Sequence, residues 1–320
     1  MNAQQGYLSY LGIKKEGTYG SFESPTRYIP LISENFKPDK AWVPRVSELR
    51  ATRFPTTPLQ GRIFVSGGVK VNAYPNMIGE FLATFFGDPQ TTNPSGSVYQ
   101  HIFTPGVAVD RQLSMKIQKG GANPLECAGF MIDELEFSCD NAGALIMEVK
   151  GGAKSAVEGS SDSPTYVGTI PFLFHHATIS AASTSRYADN FVLNGKNSLK
   201  LENFKVGGGQ YTQKPVLADV PEFGGSFTWD FEDWTDYDKF MAFTDVAISV
   251  VYTSTELIEA GNHYTLTFTI PKARYENNVP EVGASGLITV TQNFKCFPGD
   301  IGGEDLPLSI TLLNGESSYA

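Results

Sequence analysis

The residues best placed to do chemistry lie in a short acidic segment of the second half of the chain. Its carboxylates, interleaved with aromatic side chains, are Asp230, Glu232, Asp233, Asp236 and Asp238. Paired carboxylates flanked by aromatic rings are typical of a glycosidase or a sugar-binding site, and clustered carboxylates can hold calcium. No glycine stands where a calcium loop needs its sharp turn. We interpret Asp236 and Asp238 as favouring a helix N-terminus and the others as solvated, with an acidic docking patch as the alternative.

Histidine and cysteine spacing predicts no metal site. The candidate ligands are His101, His175, His176, His263, Cys127, Cys139 and Cys296. His175 and His176 are adjacent in a predicted strand, so their side chains should point to opposite faces. No two cysteines lie within four residues of each other, which excludes zinc-finger spacing. We therefore predict no metal, no cofactor and unpaired thiols that pack as small apolar residues.

Motifs for covalent catalysis are also missing. The chain has no Gly-x-Ser-x-Gly nucleophile turn. Residues 151–155 (GGAKS) superficially resemble a phosphate-binding loop, but Ala153 replaces the glycine required before the lysine, and no helix is predicted after them. We predict that the protein is not an enzyme, and a hydrolase built on the acidic segment remains the alternative within the enzyme class.

Charge and hydropathy narrow the class of partner. The 320 residues carry a net charge of −10, which divides into +1 for residues 1–156 and −11 for residues 157–320. Such a surface repels phosphate, so a role in gripping nucleic acid is excluded. No uncharged apolar stretch is long enough to cross a membrane, so we expect no membrane anchor.

Hydrophobic periodicity predicts a mainly β chain. Residues alternate with a period of two in several segments, and the predicted strands are 61–71, 135–137, 145–149, 170–174, 227–231, 264–270 and 287–290. Asn194-Gly195 predicts a hairpin turn between strands 191–193 and 199–201. Two short helices are predicted at 75–86 and 236–243, the second with Thr235 as its N-cap.

The order of these elements indicates an internal duplication. Double glycines at 67–68 and 224–225 each open a strand that leads into a short helix, and the tetrapeptide at 34–37 recurs at 202–205. We predict a first domain at 1–156, a degenerate second copy at 157–298 and a C-terminal tail at 299–320. The Gly/Ser-rich segment 151–163 is predicted to be a flexible linker between the copies.

A long irregular segment interrupts the first domain at residues 36–60, which we call the arm. Loops of this length are usually functional or disordered. The arm is basic and carries apolar side chains, and its candidate contacts between subunits are Trp42, Arg45, Arg50, Arg53 and Phe54.

Four segments together point to a family. Residues 12–20 (GIKKEGTYG), 67–87, 99–105 (YQHIFTP) and 129–152 follow one another in a recognisable order and spacing. Over residues 10–155 the chain resembles the tail tube, or major tail, proteins of bacteriophages with long non-contractile tails.

This resemblance implies an architecture and a function. Each domain would be an antiparallel β-sandwich with one short helix, and six domains would form a ring. Two domains per chain imply a trimer with pseudo-sixfold symmetry, stacked into a self-assembled tube through which viral DNA is ejected without specific binding. The protein would lie in the virion tail beside other tail proteins after assembly in the host cytoplasm. The alternative is a virion β-sandwich that binds carbohydrate as an adhesin. We expect the arm to contact the acidic segment of another subunit.

Overall fold

The computed structural model of the chain describes residues 3–45, 53–54, 56–106, 109–166, 168–259, 261–276, 279–280, 282 and 285–319. Arg50 lies outside these residues. The described chain is mainly β with two short helices, which confirms the predicted fold class. The helices are α1 (Gly79–Phe86) and α2 (Thr235–Met241), and short 3-10 turns occur at Gly6–Leu8 and Phe174–His176.

The strands of the first half are β1 (Leu11–Lys15), β2 (Arg27–Ile29), β3 (Leu31–Glu34), β4 (Lys37–Val43), β5 (Leu59–Asn72), β6 (Gln90–Ser95), β7 (Val98–Phe103), β8 (Leu113–Ile117), β9 (Leu125–Asp140) and β10 (Ile146–Ala153). Those that follow are β11 (Ser155–Glu158), β12 (Ala177–Ala181), β13 (Thr184–Arg186), β14 (Asn190–Lys196), β15 (Leu199–Lys200), β16 (Val216–Leu217), β17 (Glu222–Asp230), β18 (Val246–Glu259), β19 (Asn262–Tyr275), β20 (Thr289–Phe297), β21 (Gly299–Ile301), β22 (Glu304–Leu306) and β23 (Ser309–Asn314).

One antiparallel sheet runs through both halves of the chain, and we call it the main sheet. Its strand positions in order are β3 with β4, then β5, β10, β9, β14, β17, β20 and β19. The junction between the halves is the pairing of β9 with β14, which extends from Asp140↔Asn190 to Glu134↔Lys196. Strands on either side of the predicted boundary at residue 156 therefore share backbone hydrogen bonds, while the boundary itself stays a prediction.

Two long strands tie the main sheet to the other sheets. The N-terminal part of β9 pairs with β8 and β11, and its C-terminal part pairs with β10 and β14. In the same way, β19 pairs with β23 in its middle and with β20 at its end. β9 and β19 thus make similar sets of pairings in the two halves, while the duplication stays a prediction.

The two helices differ sharply in burial. Every residue of α1 is buried, whereas α2 has no buried residue. Phe85 and Phe86 of α1 contact Phe223 of β17, with ring centroids 6.4 and 6.1 Å apart. The second half therefore covers α1, and nothing described in the chain covers α2 in the same way.

The hairpin predicted at Asn194-Gly195 is wrong. β14 continues straight through both residues and pairs on both edges. Glycine is needed at 195 because a Cβ there would lie 2.9 Å from the Phe223 ring and 3.2 Å from the Phe85 ring. The sequence signal for a turn is here a signal for close packing of α1.

The flexible linker predicted at 151–163 is also wrong. Residues 151–153 finish β10, and β11 pairs with β9. A Cβ on Gly151 would lie 1.9 Å from the carbonyl oxygen of Met131, so this glycine permits close strand packing.

Smaller differences concern the segment around residue 174 and the helix starts. The strand predicted at 170–174 is absent; His175 and His176 lie in the 3-10 turn, with ring centroids 4.6 Å apart, and not on opposite faces of a strand. Helix α1 begins at Gly79, four residues later than predicted. Thr235 is the first residue of α2 and not its N-cap; its N–H donates to the carboxylate of Asp233 at 2.8 Å.

Candidate assembly interface

The main sheet presents one polar face opposite the core. A single register row shows the pattern, with Lys70, Glu148, Glu136, Asn194, Gly224, Lys295 and Arg274 side by side across seven strands. The neighbouring residues along the strands, such as Val69, Leu135 and Phe223, are buried in the core. This alternation is typical of a sheet with one wet face.

The basic side chains that β5, β10, β9, β14, β17 and β20 place on this face are paired with carboxylates. On the six strands from β5 to β20, the N–O distances are 2.9 Å for Arg62–Glu202, 2.9 Å for Lys70–Glu148, 3.1 Å for Lys150–Glu148, 3.3 Å for Lys196–Glu134 and 3.8 Å for Lys295–Glu276. Paired cations offer phosphate a weak field, since each positive charge is offset within one contact. The face is therefore mixed in charge and lacks a cationic track on these strands.

Both outer positions of the main sheet have unpaired edges. β3 and β4 pair only with β5 among the described strands. At the opposite end, β18 accompanies β19 only as far as Ala273, so Arg274 and Tyr275 pair with β20 alone. Unpaired edges can accept a further strand, from the same chain or from another copy, unless charges, proline or a covering segment prevent it.

The arm is not the irregular loop that the sequence predicts, because its residues Lys37–Val43 form β4 and pair with β5. It carries exposed apolar side chains at the first of these edges. Trp42 is 74% exposed and Phe54 is 66% exposed, and Leu59 at the start of β5 is also exposed. The guanidinium of Arg53 lies 5.1 Å from the Phe54 ring centroid. Trp42 lies in β4, Arg45 follows β4 and is partly buried, and Arg53 and Phe54 contact each other before β5. The role of each as a contact between subunits stays a prediction.

The acidic segment divides between two environments. Asp230, at the end of β17, lies on the polar face of the main sheet, and Glu232, Asp233 and Asp238 are exposed. Asp236 is instead held by Lys239 at 2.9 Å and by Arg186 at 3.3 Å. Thr235 keeps the pKa of the Asp233 carboxyl below its usual range by hydrogen bonding to it. Four of the five carboxylates line one small pocket beside Arg186 and Trp229, and Asp238 does not line it.

The sequence interpretation missed a groove next to α2, which we call the α2 groove. It has a volume of about 180 Å³ and is lined by Lys239, Phe240, Phe243, Thr244, Arg274, Tyr275, Glu276, Lys295 and Phe297. Phe243 is 73% exposed and has a φ of 52°, a left-handed conformation that a bulky residue rarely adopts. The sequence feature that could have indicated this groove is the run of apolar residues at the end of α2, because the other residues of this helix are mostly polar.

Three groups outside the acidic segment that could support catalysis are buried or held in ion pairs. Glu80 of α1 is buried against Arg111 and Arg27. Burial raises the pKa of the Cys127 and Cys296 thiols to about 12, which leaves them protonated and unreactive. Within the described ranges, no cluster of three or more histidine, cysteine or acidic side chains could hold a metal ion, and no helix is long and apolar enough to span a membrane.

A β-rich chain with unpaired sheet edges, exposed apolar segments and a wet sheet face has the features of an assembly subunit. The family model for phage tail tube proteins matches residues 6–296, so the chain belongs to the phage tail tube protein family. This confirms the resemblance noted for residues 10–155 and extends it over the second half. The protein is a structural component of a bacteriophage tail, and no curated protein matches it.

Proposed function

We propose that the protein assembles into rings of three copies that stack into the tail tube, a conduit for ejected DNA, and that it has no catalytic role. The observation that carries this proposal is the main sheet. Its β9–β14 junction joins the two halves by strand pairing, and each outer position leaves an edge that the same kind of pairing can satisfy in another copy.

The strand pairings of the two halves support a junction between copies that resembles the β9–β14 junction inside one chain. β14 pairs with β17 on one edge and with β9 on the other. In the first half, β3 and β4 pair with β5 in the same way, but their other edge has no partner among the described strands. The counterpart of β9 is β19, whose end is likewise unpaired on one side. We propose that β19 of one copy pairs with β3 and β4 of the next.

Strand number sets the width of such a ring. Eight strand positions per copy give 24 strands in a trimer. At a spacing of about 4.8 Å, 24 strands close into a barrel at least about 37 Å across its backbone, and strand tilt widens it. Side chains take about 5 Å from each wall, so the opening is wide enough for duplex DNA.

The polar face of the main sheet suits the inside of a conduit. A wall that bound phosphate strongly would hold its cargo. The paired lysines, together with six carboxylates on strands β5 to β20, leave no cationic track that could retain DNA by releasing counterions.

Negative-stain electron microscopy of the purified protein over a concentration series tests the proposal. We expect hollow tubes or stacked rings with threefold or pseudo-sixfold end views. Particles that remain single at every concentration, including after addition of tail-tip extract as an initiator, would refute self-assembly. A glycan-binding screen would then test the adhesin alternative.

A further inference from the structure

The second half contains a counterpart of the arm, and that counterpart is docked. Residues 197–221 follow β14 as the arm follows β3, and they lie against the first half. The backbone N–H of Asn197 donates to the carbonyl oxygen of Asp133 at 2.8 Å, and the Asn197 side chain donates to the carbonyl oxygen of Phe85 at 2.8 Å. The N–H of Leu199 donates to the Asp133 carboxylate at 2.6 Å, and Leu199 is buried.

Strand register identifies the residue of the arm that corresponds to Leu199. Buried positions of β5 and β17 match with an offset of 158, which aligns Val65 with Phe223 and Val69 with Phe227. Lys196 pairs with Glu222, and Asp39 pairs with Phe64, so the same offset aligns Lys196 with Asp39. Three residues further along each segment are Leu199 and Trp42. One is buried, and the other is 74% exposed.

The same comparison identifies the place where Trp42 should dock. In the first half, the backbone N–H of Leu199 donates to the Asp133 carboxylate. Asp133 directly follows Ile132, and Ile132 pairs with Gly151 of β10. In the second half, Tyr275 pairs with Phe294, and Glu276 follows it. Phe294 pairs with Gly225, and Gly151 pairs with Gly67. Because the offset of 158 aligns Gly67 with Gly225, Tyr275 corresponds to Ile132. Glu276 therefore corresponds to Asp133. Glu276 lines the α2 groove.

The α2 groove has the chemistry to hold an indole ring. Its walls include the half-exposed ring of Phe297 and the exposed ring of Phe243. The Arg274 guanidinium lies 5.6 Å from the Phe297 ring centroid, in a position to stack on a further aromatic ring. The groove volume of about 180 Å³ suits one large side chain. In addition, the basic arm would lie beside the carboxylates of α2 and the residues before it, which gives complementary charge.

We propose that Trp42 of one copy inserts into the α2 groove of the adjacent copy in the same ring, as residues 197–221 cover α1 within one chain. This inference rests on the proposed ring and goes beyond it, because it assigns the arm to contacts around a ring and not between stacked rings. It also explains why α1 is buried and α2 is exposed in a single chain: the cover of α2 belongs to the next copy.

Cysteine cross-linking distinguishes these geometries. In a Cys296→Ser background, which leaves only the buried Cys127 and Cys139, single variants Trp42→Cys and Phe243→Cys are mixed and oxidised. Both sites are exposed, so neither change should impair folding. We expect a disulfide-linked dimer containing one of each variant. The control mixture of Trp42→Cys with Tyr7→Cys, a site 82% exposed in the 3-10 turn Gly6–Leu8 of the first half, should give none.

The double variant Trp42→Cys/Phe243→Cys then counts the copies in the closed ring. Contacts around a ring predict a non-reducing ladder that stops at three chains. A ladder that continues without limit, or tubes by microscopy without any cross-link, would overturn the inference while leaving the proposed function intact. Absence of rings and tubes in the parent protein would instead refute the proposed function, and the inference with it. A ladder that stops at six would support docking around the ring and contradict the trimer.

Discussion

Replacing Phe243 with glycine separates a role in assembly from a role in folding. Phe243 has a φ of 52°, which costs an L-residue about 1–2 kcal/mol, and glycine removes this strain. Glycine also increases the entropy of the unfolded chain, which lowers stability by about 0.4–1 kcal/mol. The ring is 73% exposed, so little packing is lost. We therefore expect the free energy of unfolding of the isolated chain to change by less than about 1 kcal/mol.

Assembly should respond far more strongly to the same substitution. Complete burial of a phenylalanine side chain is worth about 1.5–3 kcal/mol. With 73% of its surface still exposed, Phe243 can contribute up to about 2 kcal/mol when a neighbour covers the groove. That corresponds to a rise of about 30-fold in the critical concentration of assembly.

The assay pairs urea unfolding at low concentration with light scattering across a concentration series. Ser183→Gly is the matched control, because Ser183 also has a positive φ of 62° but lies in the turn between β12 and β13. It should leave the critical concentration unchanged. Phe243→Gly with unchanged assembly would refute the α2 groove as an interface, and a loss of more than about 2 kcal/mol of stability would show that the ring packs within its own chain.

Three further predictions concern the fold that carries the interface. Gly195→Ala should lower the free energy of unfolding by about 1–3 kcal/mol, because its Cβ would press on the Phe223 ring at 2.9 Å. Glu80→Gln should cost about 1–3 kcal/mol, measured by urea unfolding, because it removes the buried carboxylate between Arg111 and Arg27 and leaves Arg111 with Asp88 as its one carboxylate partner among the described residues. Burial lowers the pKa of His101, so its contribution to stability should be present above about pH 6.5, the unfolded value, and be lost as the pH falls through the lower native pKa. Urea midpoints measured between pH 7.5 and 5 check this dependence.

Each of these three has its own control. Gly168→Ala should be neutral because nothing lies within 4 Å of the added Cβ. Glu304→Gln changes an exposed carboxylate and should leave stability within about 0.5 kcal/mol. His101→Gln should flatten the part of the pH profile that His101 causes; an unchanged slope would assign that slope to other groups, such as His176, whose pKa is also lowered by burial.

Local patterning predicted the strands well where one face is buried and the other is wet. The alternation around Leu135 and Phe137 predicted part of β9, and the strand predicted at 264–270 lies within β19. Local patterning gave wrong predictions where a glycine allows segments that are distant in sequence to pack closely. Gly195 accommodates Phe85 and Phe223, and Gly151 lets β10 approach β9, and neither constraint is visible in a short window of sequence.

The assembly surface was only partly predictable for a similar reason. Trp42 and Phe54 stood out in the sequence as apolar residues in a basic segment, and they are exposed as expected of contact residues. The α2 groove combines α2 with residues of β19 and β20 that are far apart in sequence. The exposure of α2 indicates an interface only when it is compared with the burial of α1. That comparison requires the strand pairing of the two halves, which the sequence does not show.

Electron cryomicroscopy of assembled tubes, at a resolution that separates strands, would show whether the main sheet forms the tube wall. We expect a wall of 24 strands from three copies per ring, with β9 and β14 paired inside each copy and β19 paired with β3 and β4 between copies. A wall built without the polar face of the main sheet, or a ring closed through other edges, would contradict this expectation.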